Sequence, residues 1–165
     1  MKYIFGNLQK KLVTFLIKIN SLVAIINYGL GNINAFLSIY NELEIKAKAV
    51  SKPEELYKAS KIILPGVGSF DWAMTLLNQS GMRETLDDLV LNKKVPVLGV
   101  CVGMQIMAKF SDEGKLPGLG WIDTKVEKFN LGNCKILPHM GWNSVNSNKN
   151  SPLFKNLTNP EFYFL

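Results

Sequence analysis

The sequence predicts an α/β fold, in which an open and mainly parallel sheet is covered by helices on both faces. Two observations lead to this prediction. Short apolar runs alternate with amphipathic segments from residue 22 to about residue 110, and parallel strands need crossover connections, which helices usually supply. Turn-forming sequence follows three of the apolar runs, at 28–32, 65–69 and 101–103. Open α/β sheets carry their ligand sites at the carboxyl ends of the strands, so these loops are the candidate sites.

The first half of the chain supplies two strands and two helices. The run "LVAIIN" (22–27) predicts a buried strand. The helix after it has an apolar stripe at helical spacing, formed by Ile33, Phe36, Leu37 and Tyr40. The alternation in "EIKAKAV" (44–50) predicts a second strand. "SKPEEL" (51–56) predicts a short helix, with Ser51 as its cap and Pro53 in its first turn.

A third strand and two helices follow. "KIILPGVGSF" (61–70) predicts a strand that runs into a glycine-rich turn. Two helical stretches, at about 70–79 and 82–92, are separated by Gly81. This completes another strand–helix alternation of the kind that builds a parallel sheet.

The last predicted strand of the sheet is "VPVLGV" (95–100), and "CVGMQIMAKF" (101–110) after it has a helical pattern. Beyond about residue 115 the sequence changes to shorter strands and turns without helices between them. The final "EFYFL" (161–165) predicts a strand.

Charge and cysteine content narrow the class of protein. The 165 residues carry a formal charge of +6, with 19 basic and 13 acidic side chains. Four lysines lie in the first twenty residues, where there is no acidic residue, which leaves 15 basic against 13 acidic side chains in the rest. Because that body has no basic stripe interleaved with aromatic residues, we expect no nucleic-acid partner. Two cysteines fit free thiols in a reducing compartment, so we expect a cytoplasmic protein.

The leading segment, residues 1–21, is predicted to be an extension, and residues 22–165 form the domain. The apolar run of the leading segment, from Leu12 to Ile17, is too short to span a bilayer. It also lacks the small-residue cleavage site of a signal peptide. A basic amphipathic helix lying on a membrane is the alternative to an extension of undefined structure.

The stretch Gly99-Val100-Cys101-Val102-Gly103 has the form of a nucleophile elbow, with cysteine in the place usually held by serine. A sharp strand-to-helix turn would lift the side chain clear of the sheet, and the flanking glycines would let neighbouring backbone approach. The thiol would then lie at a helix N-terminus, which favours the thiolate. The alternative is a buried cysteine that packs as a small apolar residue in a tight turn.

The loop "PGVGSF" (65–70) offers backbone amides between glycines, which suit either a phosphate or an oxyanion. It lacks the Lys-Ser/Thr ending of a P-loop. "GLGNIN" (29–34) fails the dinucleotide pattern because Asn34 stands at the third glycine position. Nucleotide binding is therefore not predicted.

These motifs occur in an order that identifies a family. "NYGLGN", "LPGVGSF", "GVCVGMQ", "DEGKLPGLGW", "LPHMGWN" and "FYF" together resemble the class I glutamine amidotransferases. Within that class they are similar to the glutaminase subunits of imidazole glycerol phosphate synthases, in histidine biosynthesis. The resemblance covers roughly residues 22–165 and implies a flavodoxin-like amidotransferase fold whose C-terminal strands are truncated.

The resemblance implies that Cys101 attacks the side-chain amide of L-glutamine and forms a glutamyl thioester. It assigns the oxyanion hole to the amides of Val67 and Val102, with Gly66 and Gly68 flanking the former. In this family the peptide that carries the Val67 amide can reorient, so that loop is a point of regulation. The glutamine itself is assigned to Gln105 and Glu113, with Glu113 as the partner of the α-ammonium group. No cofactor and no metal are implied.

The resemblance also implies a partner, a (β/α)8-barrel synthase subunit that forms a heterodimer and receives the ammonia. The residues expected to lie toward it are Tyr28, Asn32 and the "HMGWN" turn, which comprises His139, Met140, Gly141, Trp142 and Asn143.

A cysteine nucleophile of this kind needs a histidine base and an acid that orients it. His139 is the single histidine of the sequence, and in the family this position lies near the interface, while base and acid come from a later "HPE"-type segment. We therefore expect little glutaminase activity from these residues alone, and interpret the chain as truncated. Two alternatives stay open: a paralogue that supplies ammonia for surface-polysaccharide sugars, and an inactive chain that only binds the barrel.

Overall fold

The computed structural model describes residues 21–129, 132, 138–146, 154 and 157–164. The described residues fall into two compact units, which are divided between Glu127 and Lys128. The predicted leading extension lies outside the described residues, apart from residue 21.

The first unit is built on a four-stranded parallel sheet in the order β2-β1-β3-β4. The strands are β1 (Val23–Ile26), β2 (Ala47–Val50), β3 (Lys61–Leu64) and β4 (Val97–Gly99). All four predicted strands are confirmed, although each is shorter than the run that predicts it. In the register, Leu64 lies beside Gly99, so β3 and β4 end at the same level.

Five helices accompany this sheet among the described residues of the first unit. They are α1 (Ile33–Glu42), α2 (Pro53–Leu56), α3 (Phe70–Gln79), α4 (Arg83–Asp87) and α5 (Val102–Gln105). A π-helical turn at Asp88–Asn92 continues α4. The two helical stretches predicted on either side of Gly81 are therefore confirmed.

The helices cover both faces of the sheet, as predicted. On one face Val23, Ile25 and Ile63 pack against the apolar stripe of α1 that the sequence predicts. On the other face the alternate strand residues, including Ala24, Ile26, Ile62 and Leu64, pack with α3, α4 and α5. Because successive residues of a strand point to opposite faces, a sheet buried on both sides needs continuous apolar strands.

Two local predictions are wrong. Ser51 does not cap α2: Lys52 is the N-cap residue and makes no side-chain cap hydrogen bond. The Ser51 amide instead donates to the Glu55 carboxylate at 3.3 Å, so the side chain of Glu55, and not that of Ser51, makes the hydrogen bond at the start of this helix.

The predicted helix over 101–110 ends after one turn. The carbonyl oxygens of residues 106–109 accept hydrogen bonds from amides of residues 118–122 instead of from the next helical turn. Phe110–Ser111 then forms a short strand, β5, parallel to β6 (Lys125–Val126).

The second unit contains an antiparallel pair, β7 (Gly141–Ser144) and β8 (Glu161–Phe164). The terminal strand is therefore confirmed. Part of the predicted "HMGWN" turn, residues 141–143, belongs to β7 instead, because Trp142 pairs with Tyr163 across the ladder and their rings make a T-shaped contact at 5.7 Å. Within the described parts of the chain, no helix has both the length and the apolar character needed to cross a membrane.

Candidate active site

The backbone bends sharply at Cys101. Strand β4 ends at Gly99, α5 begins at Val102, and Cys101 between them has φ +56° and ψ −128°. Residues other than glycine rarely adopt this backbone conformation, which costs of order 1–3 kcal/mol and persists only where the surroundings enforce it. The Cys101 thiol is exposed and forms no disulfide. This confirms the predicted turn and excludes the alternative of a buried, packed cysteine.

The glycines around Cys101 are required by close packing. A Cβ on Gly103 would lie 2.1 Å from the carbonyl oxygen of Leu64, at the end of β3. A Cβ on Gly99 would lie 2.5 Å from the Cα of Met104. Because both contacts are with main-chain atoms, no side-chain rotation could relieve them. The spacing of the two glycines therefore follows from how the elbow packs onto the sheet.

The glycine-rich loop at 65–68 lies directly against this elbow. The Val100 amide donates to the Leu64 carbonyl at 3.0 Å, and a Cβ on Gly66 would lie 2.6 Å from the Gly103 nitrogen. Val67 is exposed, and Gly68 has φ +97°, a value suited to glycine. The structure thus brings the candidate nucleophile and one candidate oxyanion loop together, since β3 and β4 end side by side.

Tyr28 links the loop after β1 to the same place. Its side chain is buried, and its hydroxyl donates to the Pro65 carbonyl at 2.8 Å. Burial raises the pKa of the Tyr28 hydroxyl to about 12, and negative charge on Cys101 adds to the increase. A role for Tyr28 at a partner interface stays a prediction, and its burial leaves little side-chain surface for one.

The raised pKa predicts how stability depends on pH. Tyrosine in the unfolded chain has a pKa near 10. The neutral side chain is therefore favoured by folding, and this stabilisation is complete below pH 10 and lost as the pH rises toward 12. Between pH 9.5 and 11.5 we expect wild-type protein to lose up to about 2 kcal/mol more unfolding free energy than Tyr28→Phe. Urea unfolding at each pH measures it; parallel curves would contradict it. Tyr57→Phe, which removes an exposed hydroxyl, is the control.

The two candidate glutamine-binding residues lie in the same unit. Gln105 is half-buried at the end of α5, and its backbone amide donates to the Cys101 carbonyl at 3.3 Å. Glu113 lies in the loop after β5, and its carboxylate accepts a hydrogen bond from the Phe70 amide at 3.3 Å. Phe70 is the first residue of α3, directly after the glycine-rich loop. Glu113 is therefore held at the end of the glycine-rich loop, which the sequence alone does not indicate.

Asn32, assigned to the partner surface, is exposed and caps α1. Its side-chain oxygen accepts a hydrogen bond from the Ala35 amide at 3.1 Å. The cap accounts for an asparagine at this position without a partner, so the interface role stays a prediction.

The remaining partner-facing candidates belong to the second unit. The His139 ring lies 5.7 Å from the rings of Phe129 and Phe164, and its Nε2 is 3.3 Å from the Asn143 side-chain nitrogen. Met140 and Trp142 are more than half exposed. Two large exposed apolar side chains, one just before β7 and one on it, are compatible with an interaction surface.

No group of three or more metal-ligating side chains occurs among the residues that the structure describes. The chemistry available at the elbow is that of an accessible thiol beside main-chain amides.

Comparison with known proteins places this geometry in a family. Residues 24–164 match the profile described as "Glutamine amidotransferase class-I". The chain belongs to the class I glutamine amidotransferases. A protein of Bdellovibrio bacteriovorus named "Imidazole glycerol phosphate synthase subunit HisH" is 53% identical over 148 residues, covering 87% of this chain and 72% of the relative. Its namesake in Leptospira borgpetersenii is 49% identical over the same length. Within the class, the chain belongs with these HisH subunits, which confirms the resemblance.

A solved amidotransferase supports the fold. A structure described as "Crystal structure of glutamine amidotransferase" superposes with a TM-score of 0.59 at 21% identity. The match covers 74% of this chain, and the chain spans 62% of the solved one. At this identity the comparison shows the fold alone.

Sequence reasoning missed one contact beside this candidate site. Asp71 in α3 accepts hydrogen bonds from the Lys115 and Leu116 amides, across more than 40 residues of sequence. An acidic residue in the first turn of a helix is explained by the helix dipole alone. No local signal could therefore have indicated this contact.

Proposed function

We propose that this chain is the glutaminase subunit of an imidazole glycerol phosphate synthase, acting in histidine biosynthesis. It would hydrolyse glutamine and pass the ammonia to a (β/α)8-barrel cyclase subunit, for formation of imidazole glycerol phosphate and AICAR. The observation that carries the proposal is the exposed Cys101 thiol, held on a positive-φ turn against a glycine-rich loop. The identity to named HisH subunits supports the specific reaction.

The proposed chemistry has two halves. The Cys101 sulfur attacks the side-chain carbonyl carbon of glutamine, the C–N bond breaks, and the nitrogen leaves as ammonia after gaining a proton. Water then attacks the thioester, the C–S bond breaks, and glutamate is released. A histidine base with an orienting acid moves the protons in sites of this kind. His139 is not assigned that role, so we expect little turnover from these residues alone.

The oxyanion of each tetrahedral intermediate would be stabilised by the amides of Val102, at the start of α5, and Val67, in the adjacent loop. Preorganised N–H donors of this kind are worth about 10²–10³ in rate. The contact between the two loops supports this assignment.

The substrate would be held by Gln105 and Glu113, with the Glu113 carboxylate receiving the α-ammonium group. Asn32 and residues 139–143 would lie toward the barrel partner, in a cytoplasmic heterodimer. The exposed Met140 and Trp142 supply apolar surface for such a contact.

The experiment that tests this function uses a chloroketone analogue of glutamine, 2-amino-5-chloro-4-oxopentanoic acid. Alkylation needs the thiol and its substrate pocket, but no proton-transferring base. We expect saturable labelling of Cys101 with one probe per chain, measured by mass spectrometry of the peptides. Glutamine should protect against labelling, and asparagine should protect much less.

Cys134, the second cysteine of the sequence, provides an internal comparison. Labelling divided evenly between the two cysteines, or a rate that glutamine does not change, would contradict the proposed function.

A further inference from the structure

The loop that carries Glu113 is held by a carboxylate on a different element. Both oxygens of Asp71, in the first turn of α3, accept the Lys115 amide at 2.9 Å, and one of them also accepts the Leu116 amide at 3.0 Å. These hydrogen bonds, the Lys115 amide first and the Leu116 amide second, lower the pKa of the Asp71 carboxyl because they stabilise its charged form. Asp71 therefore accepts these hydrogen bonds as a charged carboxylate near neutral pH.

The loop approaches Asp71 so closely that a side chain at position 114 would displace the carboxylate. A Cβ on Gly114 would lie 2.1 Å from an Asp71 oxygen and 2.9 Å from its carboxyl carbon. Gly114 directly follows Glu113, and Lys115 and Leu116 come next. Asp71 thus contacts the chain at the three residues that follow the proposed ammonium ligand.

Glu113 is also fixed from its other side. Its amide donates to the hydroxyl of Ser111 at 3.1 Å, and Ser111 is buried. Its carboxylate accepts the Phe70 amide at 3.3 Å. The two carboxylates therefore link the same two segments. The Glu113 carboxylate, in the loop after β5, accepts an amide at the start of α3, and the Asp71 carboxylate, in α3, accepts amides of that loop.

We infer that Asp71 is a positioning residue for glutamine binding: it holds residues 114–116 so that the Glu113 carboxylate stays where the α-ammonium group is received. This inference rests on the proposed function, in which Glu113 is that ligand. Asp71 itself need not touch the substrate. Its loss would leave Glu113 attached to a loop with fewer anchors, so the effect would fall on recognition of the ammonium group alone.

The experiment compares two chloroketones that differ only in that group: 2-amino-5-chloro-4-oxopentanoic acid and its desamino counterpart, 5-chloro-4-oxopentanoic acid. For Asp71→Ala we expect the half-saturating concentration of the amino probe to rise about tenfold, the scale of one weakened charge-assisted contact. Its limiting alkylation rate should stay the same. The desamino probe should be unaffected in both respects.

Three further variants sharpen the test. Asp71→Asn keeps one acceptor oxygen and should give an intermediate loss. Asp88→Ala removes a similarly placed carboxylate that pairs with Lys93 in the same unit, and should behave as wild type. Adding Asp71→Ala to Glu113→Gln should cause no further loss, because both act through the same carboxylate.

The failures are distinguishable. If Asp71→Ala weakens both probes equally, or leaves the preference for the amino probe intact, the positioning role is overturned while the proposed function stands. If wild-type protein does not prefer the amino probe, the assignment of Glu113 fails, and the role of Asp71 fails with it.

Discussion

Cys101→Ser is expected to lose covalent capture of the glutamine chloroketone by at least about a thousandfold, the scale on which removal of a nucleophile acts. A thiolate is a strong nucleophile at neutral pH, whereas a serine hydroxyl needs a base to activate it. The exposed position of Cys101 means that the substitution leaves no cavity. The free energy of unfolding should therefore change by less than about 0.5 kcal/mol.

The matched control for this variant is Cys134→Ser, which should keep full labelling. Intact mass after exposure to the probe, with urea unfolding of both variants, measures the outcome. Labelling of Cys101→Ser at more than a tenth of the wild-type rate would show that the thiol is not the reacting group.

Gly103→Ala is expected to have the largest effect on stability. The added Cβ would lie 2.1 Å from the Leu64 carbonyl oxygen, which itself accepts a hydrogen bond from the Val100 amide just after β4. Moving either the end of β3 or the elbow to relieve the clash would disrupt the packing between them. We therefore expect a loss of at least about 3 kcal/mol of unfolding free energy. Labelling of Cys101 by the chloroketone should fall in parallel, because any relief of the clash displaces the elbow.

Gly81→Ala separates this clash from a general intolerance of alanine. Gly81 has φ +72° but open space around its Cβ position, so the substitution should cost only about 1–2 kcal/mol in backbone strain. It should not change the labelling of Cys101. Equal destabilisation by the two substitutions would mean that close packing of the elbow against β3 is not what requires glycine at 103.

Sequence patterns predicted the strands of the first sheet and helix α1 because these elements depend on residues that are close together in the chain. Three strands of the first sheet lie in apolar runs, β2 lies in an alternating stretch, and the stripe on α1 has the period of a helix. All of these patterns follow from residues close in the chain. The bend at Cys101 was predictable for the same reason, since a nucleophile flanked by glycines indicates a particular turn. The catalytic and binding roles assigned to these residues stay predictions.

The parts of the structure that sequence patterns did not indicate depend on particular hydrogen-bond partners, most of them distant in sequence. Helix α5 ends early because amides some twelve residues further on take the carbonyls of 106–109. Lys52 rather than Ser51 is the N-cap residue of α2, and the Glu55 carboxylate accepts the Ser51 amide. Asp71 reaches residues 115 and 116 through a contact that no periodicity encodes. At α5 and at Asp71, hydrogen bonds to residues well separated in sequence override a local preference. At α2 the deciding hydrogen bond is local, because Ser51 and Glu55 are four residues apart.

The dihedral angles at Cys101 restrict which chemistry could replace the thiol. Threonine carries a hydroxyl that serves as a nucleophile elsewhere, but a β-branched side chain at φ +56° is a severe steric outlier. Serine, alanine and glycine fit the bend, and of these only serine offers an attacking atom. Attempts to redesign the elbow for alcohol-based acyl transfer therefore have one natural amino acid to start from.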